Sequence, residues 1–194
     1  MRLTIPYALL DILFLIAVGA SHASAQSVDD AQDAFARHRW HAEFSLQAAT
    51  EAWNYNVSHE ELLGLQQGLT YGLRDGLQLT LTERVIYVSQ RAQDTWVLGL
   101  SGGVRKRVYR RGRVSAFAGV EIGISDTSIA TPPRGTRFNY VLIANGGILV
   151  RLRPRLDLIT SLQWTHLSNA SLKGPGRNPD IEAIGPAIGL SLRF

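Results

Sequence analysis

The chain has 194 residues, of which 45% are hydrophobic and 19% charged. This composition excludes a disordered chain, and a mean hydropathy of zero excludes a bundle of apolar membrane helices. Cysteine is missing, so there is no disulfide framework and no thiolate metal site. The net charge of +4 fits any anionic partner and by itself does not distinguish nucleic acid from a membrane surface.

The N-terminus has the pattern of a secretory signal peptide. Arg2 supplies a positive charge, residues 12–19 are apolar, and Ala23-Ser24-Ala25 forms a small-x-small cleavage site. Asp11 interrupts the apolar stretch, which is far shorter than the ~20 residues that a spanning helix needs. We therefore expect a cleaved signal peptide at 1–25, a short periplasmic segment at 26–38 and one domain at 39–194.

From residue 39 onward, apolar and polar residues alternate with the period of two that is typical of β-strands. Leu156, Leu158, Leu162 and Trp164, for example, alternate with Asp157, Ile159, Ser161 and Gln163. In chain order the predicted strands are 40–48, 62–73, 77–85, 95–104, 113–124, 137–151, 156–165 and 183–194. The connectors are 54–60, 74–76, 91–94, 105–112, 126–136, 153–155 and 169–181, most of which contain glycine, proline, asparagine or aspartate.

Such strands also occur in soluble sandwiches and lipocalin-like barrels, but three features favour a membrane barrel. Several strands reach the ~9–11 residues that cross a bilayer at a tilt. The less apolar face carries a polar set typical of a barrel lumen: Glu43, Arg84, Glu121, Arg151, Asp157 and Gln163. Aromatic residues lie near the strand ends, with Trp53, Tyr87, Trp96, Phe138, Tyr140 and Trp164 at one rim and Trp40, Tyr109 and Phe194 at the other.

The sequence thus predicts an all-β fold, an eight-stranded antiparallel transmembrane β-barrel of a bacterial outer membrane with periplasmic termini. The C-terminal strand, which ends on Phe194, resembles the signal that such barrels present to their assembly machinery. In this topology the segments 53–61, 91–94, 126–136 and 169–182 are external. The basic cluster Arg105–Arg113 becomes a solvated periplasmic turn rather than a nucleic-acid site, since Tyr109 is its only aromatic residue.

One pair of residues suggests chemistry. His166 and Ser168, two apart at the external end of the seventh predicted strand, share a face, so the imidazole can act as general base for a serine nucleophile. They also share register with Leu162 and Trp164 and so point toward lipid, where polar side chains are costly. Glu182 and Asp180 both have the register to orient the histidine, and a solvated strand rim explains the same residues as well.

The segment from Trp164 to Phe194 resembles the C-terminal hairpin of the PagL-type lipid A 3-O-deacylases, an outer-membrane family of eight-stranded barrels. The resemblance rests on His166-x-Ser168-Asn169-Ala170, on Asn178, on Glu182 four residues later and on the terminal aromatic residue. It implies a serine esterase with Ser168 as nucleophile, His166 as base and Glu182 as the orienting group. Asn169 and Asn178 would support the oxyanion site.

Two departures from the family pattern concern the loop. Ser171 stands where the family has glycine, and the segment 171–177 is about two residues longer. Both affect the oxyanion site and the fit of the acyl chain more than the triad. His22 lies in the predicted signal segment, while His38, His41 and His59 lie near strand ends or in loops and have no expected catalytic role.

The expected function is hydrolysis of the 3-O-linked acyl chain of lipid A at the outer leaflet. The expected partners are lipopolysaccharide and outer-membrane lipids. We expect no nucleic acid, metal or cofactor. A homodimer is an alternative that the sequence does not decide. External cations that would contact the lipid A phosphates are Arg134, Arg137, Lys173 and Arg177. The alternatives are a non-catalytic structural or adhesion-type barrel and another lipid-modifying barrel, an acyltransferase or a phospholipase.

Overall fold

A computed structural model of the chain describes residues 33–53, 59–91 and 93–194. Eight antiparallel strands follow one another around a closed barrel, and β8 pairs with β1. The strands are β1 (Trp40–Glu51), β2 (Glu61–Arg74), β3 (Leu77–Ser89), β4 (Thr95–Arg111), β5 (Val114–Thr131), β6 (Thr136–Arg153), β7 (Leu156–Ser168) and β8 (Ile181–Arg193). The predicted fold and all eight predicted strands are confirmed. The predicted signal peptide lies outside the described residues.

The two ends of the barrel differ. At the hairpin end, two-residue turns at 75–76, 112–113 and 154–155 join the strands, and β1 begins where β8 ends. At the loop end, the longer connections are 52–60, 90–94, 132–135 and 169–180. Both described chain termini lie at the hairpin end, which agrees with the predicted topology.

Two predicted connectors are wrong in extent. Residues 105–112 are not a turn, because β4 continues to Arg111 and only Gly112 and Arg113 form the turn. Arg105 stays in the sheet because its guanidinium, directed inward, forms hydrogen bonds of 2.8 and 2.9 Å with the two carboxylate oxygens of Glu43. β5 likewise continues to Thr131, so that the predicted loop 126–136 shrinks to 132–135.

Alternation along the strands produces an outer face that is apolar. Large side chains on it are exposed in the isolated barrel, among them Leu46, Leu63, Ile122, Leu162 and Ile188, and the exposed fraction of Ile122 reaches 69%. A contiguous apolar surface of this kind needs a bilayer or a partner around it. No helix in the described ranges is long and apolar enough to span a membrane.

Aromatic side chains border this apolar surface at both ends, as the sequence predicts. At the loop end Tyr87 packs against Trp96 with ring centroids 5.3 Å apart, and Phe138 packs against Tyr140 at the same separation. At the hairpin end Trp40 and Tyr71 are 4.8 Å apart. Such girdles mark the two membrane–water boundaries of a barrel.

The lumen is filled. Its middle holds a buried polar layer in which Arg84 pairs with Glu121 at 2.6 Å and Gln66 donates to Gln163 at 2.9 Å. The cavity left in this layer is about 30 Å³, room for only a few water molecules. The lumen is therefore polar and largely filled by side chains.

Apolar layers close the lumen on both sides of the polar layer. Beneath the loops the cluster contains Leu62, Ile86, Val88, Val97, Val141, Ile143, Leu167, Ile181 and Ala183. At the hairpin end, residues 33–38 turn into the barrel mouth, and Phe35, fully buried, packs with Phe117, Leu149 and Ile159. Asp33 anchors this segment by an ion pair of 2.6 Å with Arg107.

Candidate active site

Strand register brings the predicted site residues together at the loop end of β7 and β8. His166 lies directly opposite Glu182 in the antiparallel pair, and Ser168 is the last residue of β7. All three side chains share the outward face with Trp164 and Ile184, since the alternate residues Thr165, Leu167 and Ala183 are buried in the lumen. The hairpin therefore presents a polar triplet on the membrane-facing side of the barrel.

The hydroxyl and the imidazole are within hydrogen-bonding distance. His166 Nε2 lies 3.0 Å from Ser168 Oγ, so the neutral ring can accept the hydroxyl proton when Nδ1 carries the hydrogen. The Trp164 indole stacks on the imidazole with ring centroids 5.9 Å apart, which fixes the plane of the ring. Ser168 itself is 9% exposed, so its hydroxyl has little direct access to solvent.

The carboxylates lie on the other side of the imidazole. Glu182 Oε1 is 3.3 Å from His166 Nδ1, and Asp180 Oδ2 is 3.9 Å from the same atom. Neither contact is a hydrogen bond, so His166 Nδ1 is left without a hydrogen-bond partner. Glu182 is nearer and stands on the ordered strand, but both candidates for the orienting group stay within reach. Catalytic hydrogen bonds are often loose before substrate binds.

The two asparagines hold the loop above the serine. Asn169, nearly fully buried, accepts nothing from Ser168; its backbone N–H donates to Asn178 Oδ1 at 3.0 Å, and its side-chain amide donates to the Arg177 carbonyl at 2.6 Å. These bonds clip both ends of the 169–178 segment together. In this arrangement the backbone N–H and the side-chain nitrogen of Asn169 both donate within the loop, so the two asparagines shape the loop.

The backbone explains why the departure at Ser171 matters. Ala170 and Ser171 have φ values of 49° and 61°, in the left-handed region where side chains other than glycine are disfavoured. Among the described residues, no hydrogen bond uses the N–H of either residue. The turn directly after Ser168 therefore carries two backbone donors whose conformation a glycine would adopt with less strain.

Three of the four predicted phosphate-contacting cations lie on two loops, and the fourth, Arg137, lies on β6. Lys173 and Arg177 are exposed on the 169–180 loop above the site, and Arg134 is exposed in the 132–135 turn. Arg137 already pairs with Asp126 at 3.0 Å and donates to the Thr127 carbonyl. The structure thus places Lys173 and Arg177 on the loop that follows Ser168, and it pairs Arg137 with Asp126.

Sequence reasoning missed a groove on the outer face beside the site. It has a volume of about 530 Å³ and runs across β8, β1, β2 and β3 at the loop end. Ile184 and Leu63 line it, and the small outward residues Ala48 and Pro186 leave its space open. The signal was present in the sequence, because the outward positions two residues away from Ala48 and Pro186 include the larger Leu46, Ile184 and Ile188.

His166, Asp180 and Glu182 are also the residues with ligand geometry for a cation, since one ligand atom from each lies within 4.8 Å of the others. An ion there would compete with the contact between Nδ1 and Glu182. Two other histidines of the described ranges contact different residues. His41 is buried in the lumen 3.3 Å from Ser191 Oγ, and His59 lies 3.8 Å from Glu51.

A scan against protein-family models and a search of curated proteins gave no match. Solved structures do match. Neisserial surface protein A (NspA) aligns with a TM-score of 0.60 and 10% identity over 80% of this chain and 97% of its own. The outer membrane enzyme PagL aligns with a TM-score of 0.55 and 18% identity, over 75% of this chain and 97% of its own. OprG from Pseudomonas aeruginosa aligns with a TM-score of 0.53 and 12% identity, over 82% of this chain and 97% of its own.

These similarities define the class of protein. The chain has the fold of the eight-stranded bacterial outer-membrane β-barrels, and it shares that fold with an enzyme and with barrels of other kinds alike. At such identities a shared fold carries no activity. Any assignment of function therefore depends on the site.

Proposed function

We propose that this barrel is an outer-membrane esterase that removes an ester-linked acyl chain from a membrane lipid, and that its substrate is the 3-O-linked chain of lipid A. The observation that carries the proposal is the 3.0 Å contact between His166 Nε2 and Ser168 Oγ on the outward face, with Glu182 3.3 Å behind the imidazole. Nucleophile, base and orienting carboxylate are in the order that serine hydrolases require.

The reaction follows from these three groups. His166 Nε2 takes the proton of Ser168 as the oxygen attacks the ester carbonyl carbon, and the same proton then passes to the departing lipid alkoxide. The acyl group is left on Ser168. Water, deprotonated by His166, attacks this second ester, releases the fatty acid and restores the serine. Glu182 holds the Nδ1–H tautomer and stabilises the imidazolium in both halves.

The developing oxyanion needs donors close to Ser168. We assign this role to the backbone N–H groups of Ala170 and Ser171, which follow Ser168 in the chain and have no acceptor among the described residues. The Asn169–Asn178 clip supports them by fixing the turn. An oxyanion donor is typically worth about 3 kcal/mol of transition-state stabilisation. The left-handed φ of Ser171 predicts that a glycine at this position would be tolerated.

Three features support a lipid substrate. The triplet faces the membrane and not the lumen, the adjoining groove of about 530 Å³ is of a size to hold an acyl chain, and Lys173 and Arg177 lie on the loop above. With the hairpin end in the periplasm, this depth corresponds to the outer leaflet, where lipid A resides. The resemblance of the last hairpin to the PagL-type deacylases supports the same chemistry.

The test is mass spectrometry of lipid A from bacteria that express the full chain or its Ser168→Ala variant. We expect loss of one hydroxyacyl chain with wild type and none with the variant at equal barrel levels. A transferred acyl chain would identify an acyltransferase, and lysophospholipid would identify a phospholipase. Unchanged lipids in both strains would leave a structural or adhesion-type barrel and remove the esterase.

A further inference from the structure

The three hairpins at the hairpin end share a pattern. Each two-residue turn is preceded by arginine and followed by an apolar residue: Arg74-Asp75-Gly76-Leu77, Arg111-Gly112-Arg113-Val114 and Arg153-Pro154-Arg155-Leu156. In each case the arginine and the apolar residue are the last pair of the ladder, Arg74 with Leu77, Arg111 with Val114 and Arg153 with Leu156.

A β-bulge precedes each of these pairs. The register shifts between Gly72 and Arg74, between Arg107 and Tyr109, and between Arg151 and Arg153. Steps of two residues keep a side chain on the same face of a strand, and the extra residue of a bulge reverses that face.

The reversal has the same result in all three hairpins. Gly72, Arg107 and Arg151 pair with the inward residues Gln78, Phe117 and Asp157, so without a bulge the arginines that follow would point into the barrel. With it, Arg74, Arg111 and Arg153 share the outer face with their apolar partners.

The outward arginines differ from the inward ones in their partners. Arg105, Arg107 and Arg193 form ion pairs with Glu43, Asp33 and Asp157. Arg74, Arg111 and Arg153 are exposed and have no carboxylate partner among the described residues. Three exposed guanidinium groups thus lack a carboxylate partner in the part of the chain that the structure describes.

Their depth matches that of lipid headgroups. Tyr109 lies on the same outer face two residues before Arg111, and the Trp40–Tyr71 pair belongs to the aromatic girdle at this end. Arginine beside an apolar residue at a membrane boundary lays its aliphatic stem along the hydrocarbon and extends its guanidinium to the phosphate level. Its planar donors match phosphate oxygens in pairs.

We propose that Arg74, Arg111 and Arg153 form a belt, here called the arginine belt, that binds anionic phospholipid headgroups in the leaflet at the hairpin end. The belt lies on three hairpins distributed around the barrel and surrounds it with phosphate sites. This partner is independent of the esterase proposal, because the belt lies at the opposite end from Ser168.

The turns provide a matched control for the belt. Arg113 and Arg155 lie in the same hairpins, two residues from Arg111 and Arg153, and are exposed, but they stand at the turn tips instead of on the outer face. Removing either pair of cations changes the net charge of this end equally. Only loss of the first pair removes a group that lies beside the bilayer.

The full chain is reconstituted in bilayers of phosphatidylcholine with a minor fraction of phosphatidylglycerol, and enrichment of each lipid around the barrel is measured with spin-labelled lipids. A cation close to an anionic membrane surface typically raises association about fivefold. We expect the Arg111→Gln/Arg153→Gln variant to lower the relative association of phosphatidylglycerol at least tenfold, and Arg113→Gln/Arg155→Gln to change it less than twofold.

Equal losses in the two variants would show a diffuse charge effect and overturn the belt, as would an unchanged preference in the first variant. Folding is checked by the anomalous migration of unheated samples on gels. If the double variant does not fold, the single variants Arg153→Gln and Arg155→Gln repeat the comparison within one hairpin. Arg153→Lys, which keeps the charge, is expected to retain most of the preference.

Discussion

The lumen and the outer-face site both contain polar groups, but these groups differ in how far they are buried and in how fully they are hydrogen-bonded. In the lumen, Arg84 and Glu121 are at most 5% exposed, lie 2.6 Å apart, and share Ser101 as a further hydrogen-bond partner. At the site, His166 and Glu182 are about one quarter exposed, and His166 Nδ1 has no hydrogen bond.

The difference distinguishes polar groups that stabilise the fold from polar groups that are arranged for chemistry. A buried pair whose partners meet each other holds the barrel in one arrangement, and breaking it leaves an isolated charge. An accessible imidazole with one nitrogen on a hydroxyl and the other near a carboxylate has the arrangement that proton transfer from the hydroxyl requires. Substitutions in the lumen should therefore affect stability and spare activity, and those at the site should do the opposite.

The largest effect is expected at the nucleophile. Ser168→Ala should lower the rate of lipid deacylation by at least about 10³-fold, because the variant lacks the hydroxyl that forms the acyl-enzyme. Urea unfolding in detergent should change little, since Oγ packs against no core. Thr160→Ala, on the same face of β7 nearer the hairpin end, is the control and should keep the wild-type rate. A Ser168→Ala protein with wild-type activity would eliminate the serine mechanism.

The next effect is in the lumen. Glu121→Ala should lower the free energy of unfolding by about 3–5 kcal/mol, because Arg84 is left buried without its partner. Specific activity of the folded fraction should stay near that of wild type. The double variant Arg84→Met/Glu121→Leu removes both charges and should recover much of the lost stability. A single variant as stable as wild type would show that water replaces the pair in the lumen.

A smaller effect distinguishes the two carboxylates at the site. Glu182 is nearer to His166 Nδ1 than Asp180, 3.3 against 3.9 Å, and stands on β8. Glu182→Ala should lower the rate at least tenfold more than Asp180→Ala, although by less than the roughly 10⁴-fold seen in enclosed triads, since water reaches this rim. Steady-state kinetics of both variants measure the order. The reverse order would assign the orienting role to Asp180.

The smallest effect concerns the segment that closes the hairpin end. Burial by itself would raise the pKa of Asp33, but hydrogen bonds and charges from Arg107 and Arg110 outweigh it and hold the pKa below its usual value of 3.8. Because the folded pKa is the lower one, the interaction stabilises the protein above the unfolded pKa and is lost as the pH falls toward the folded pKa.

Asp33→Asn should therefore lower the free energy of unfolding by about 1–2 kcal/mol at neutral pH. The difference from wild type should shrink between about pH 5 and pH 3, as the carboxylate of the wild type is protonated. Unfolding curves at a series of pH values measure this, and deacylation should be unchanged at neutral pH. A difference independent of pH would mean that the side chain acts by packing and not by charge.

The sequence by itself determined the strands, the lumen face and the likeness of the last hairpin to a deacylase motif. All of these follow from local rules: a period of two, aromatic rims, and a spacing of two between His166 and Ser168. The same rules failed at 105–112, where a run of basic residues suggested a turn. There the carboxylates Glu43 and Asp33, far away in the sequence, hold Arg105 and Arg107 within or beside the lumen.

Only the tertiary structure decided which groups meet. The pairing of β7 with β8 sets Glu182 opposite His166, and the clip between Asn169 and Asn178 engages amides that the motif suggested for the oxyanion. The groove beside Ile184 requires three other strands to close around it. The three bulges turn Arg74, Arg111 and Arg153 outward, whereas strict alternation would place these arginines inside the barrel. Register, bulges and loop contacts depend on partners distant in the chain, and a local period does not encode them.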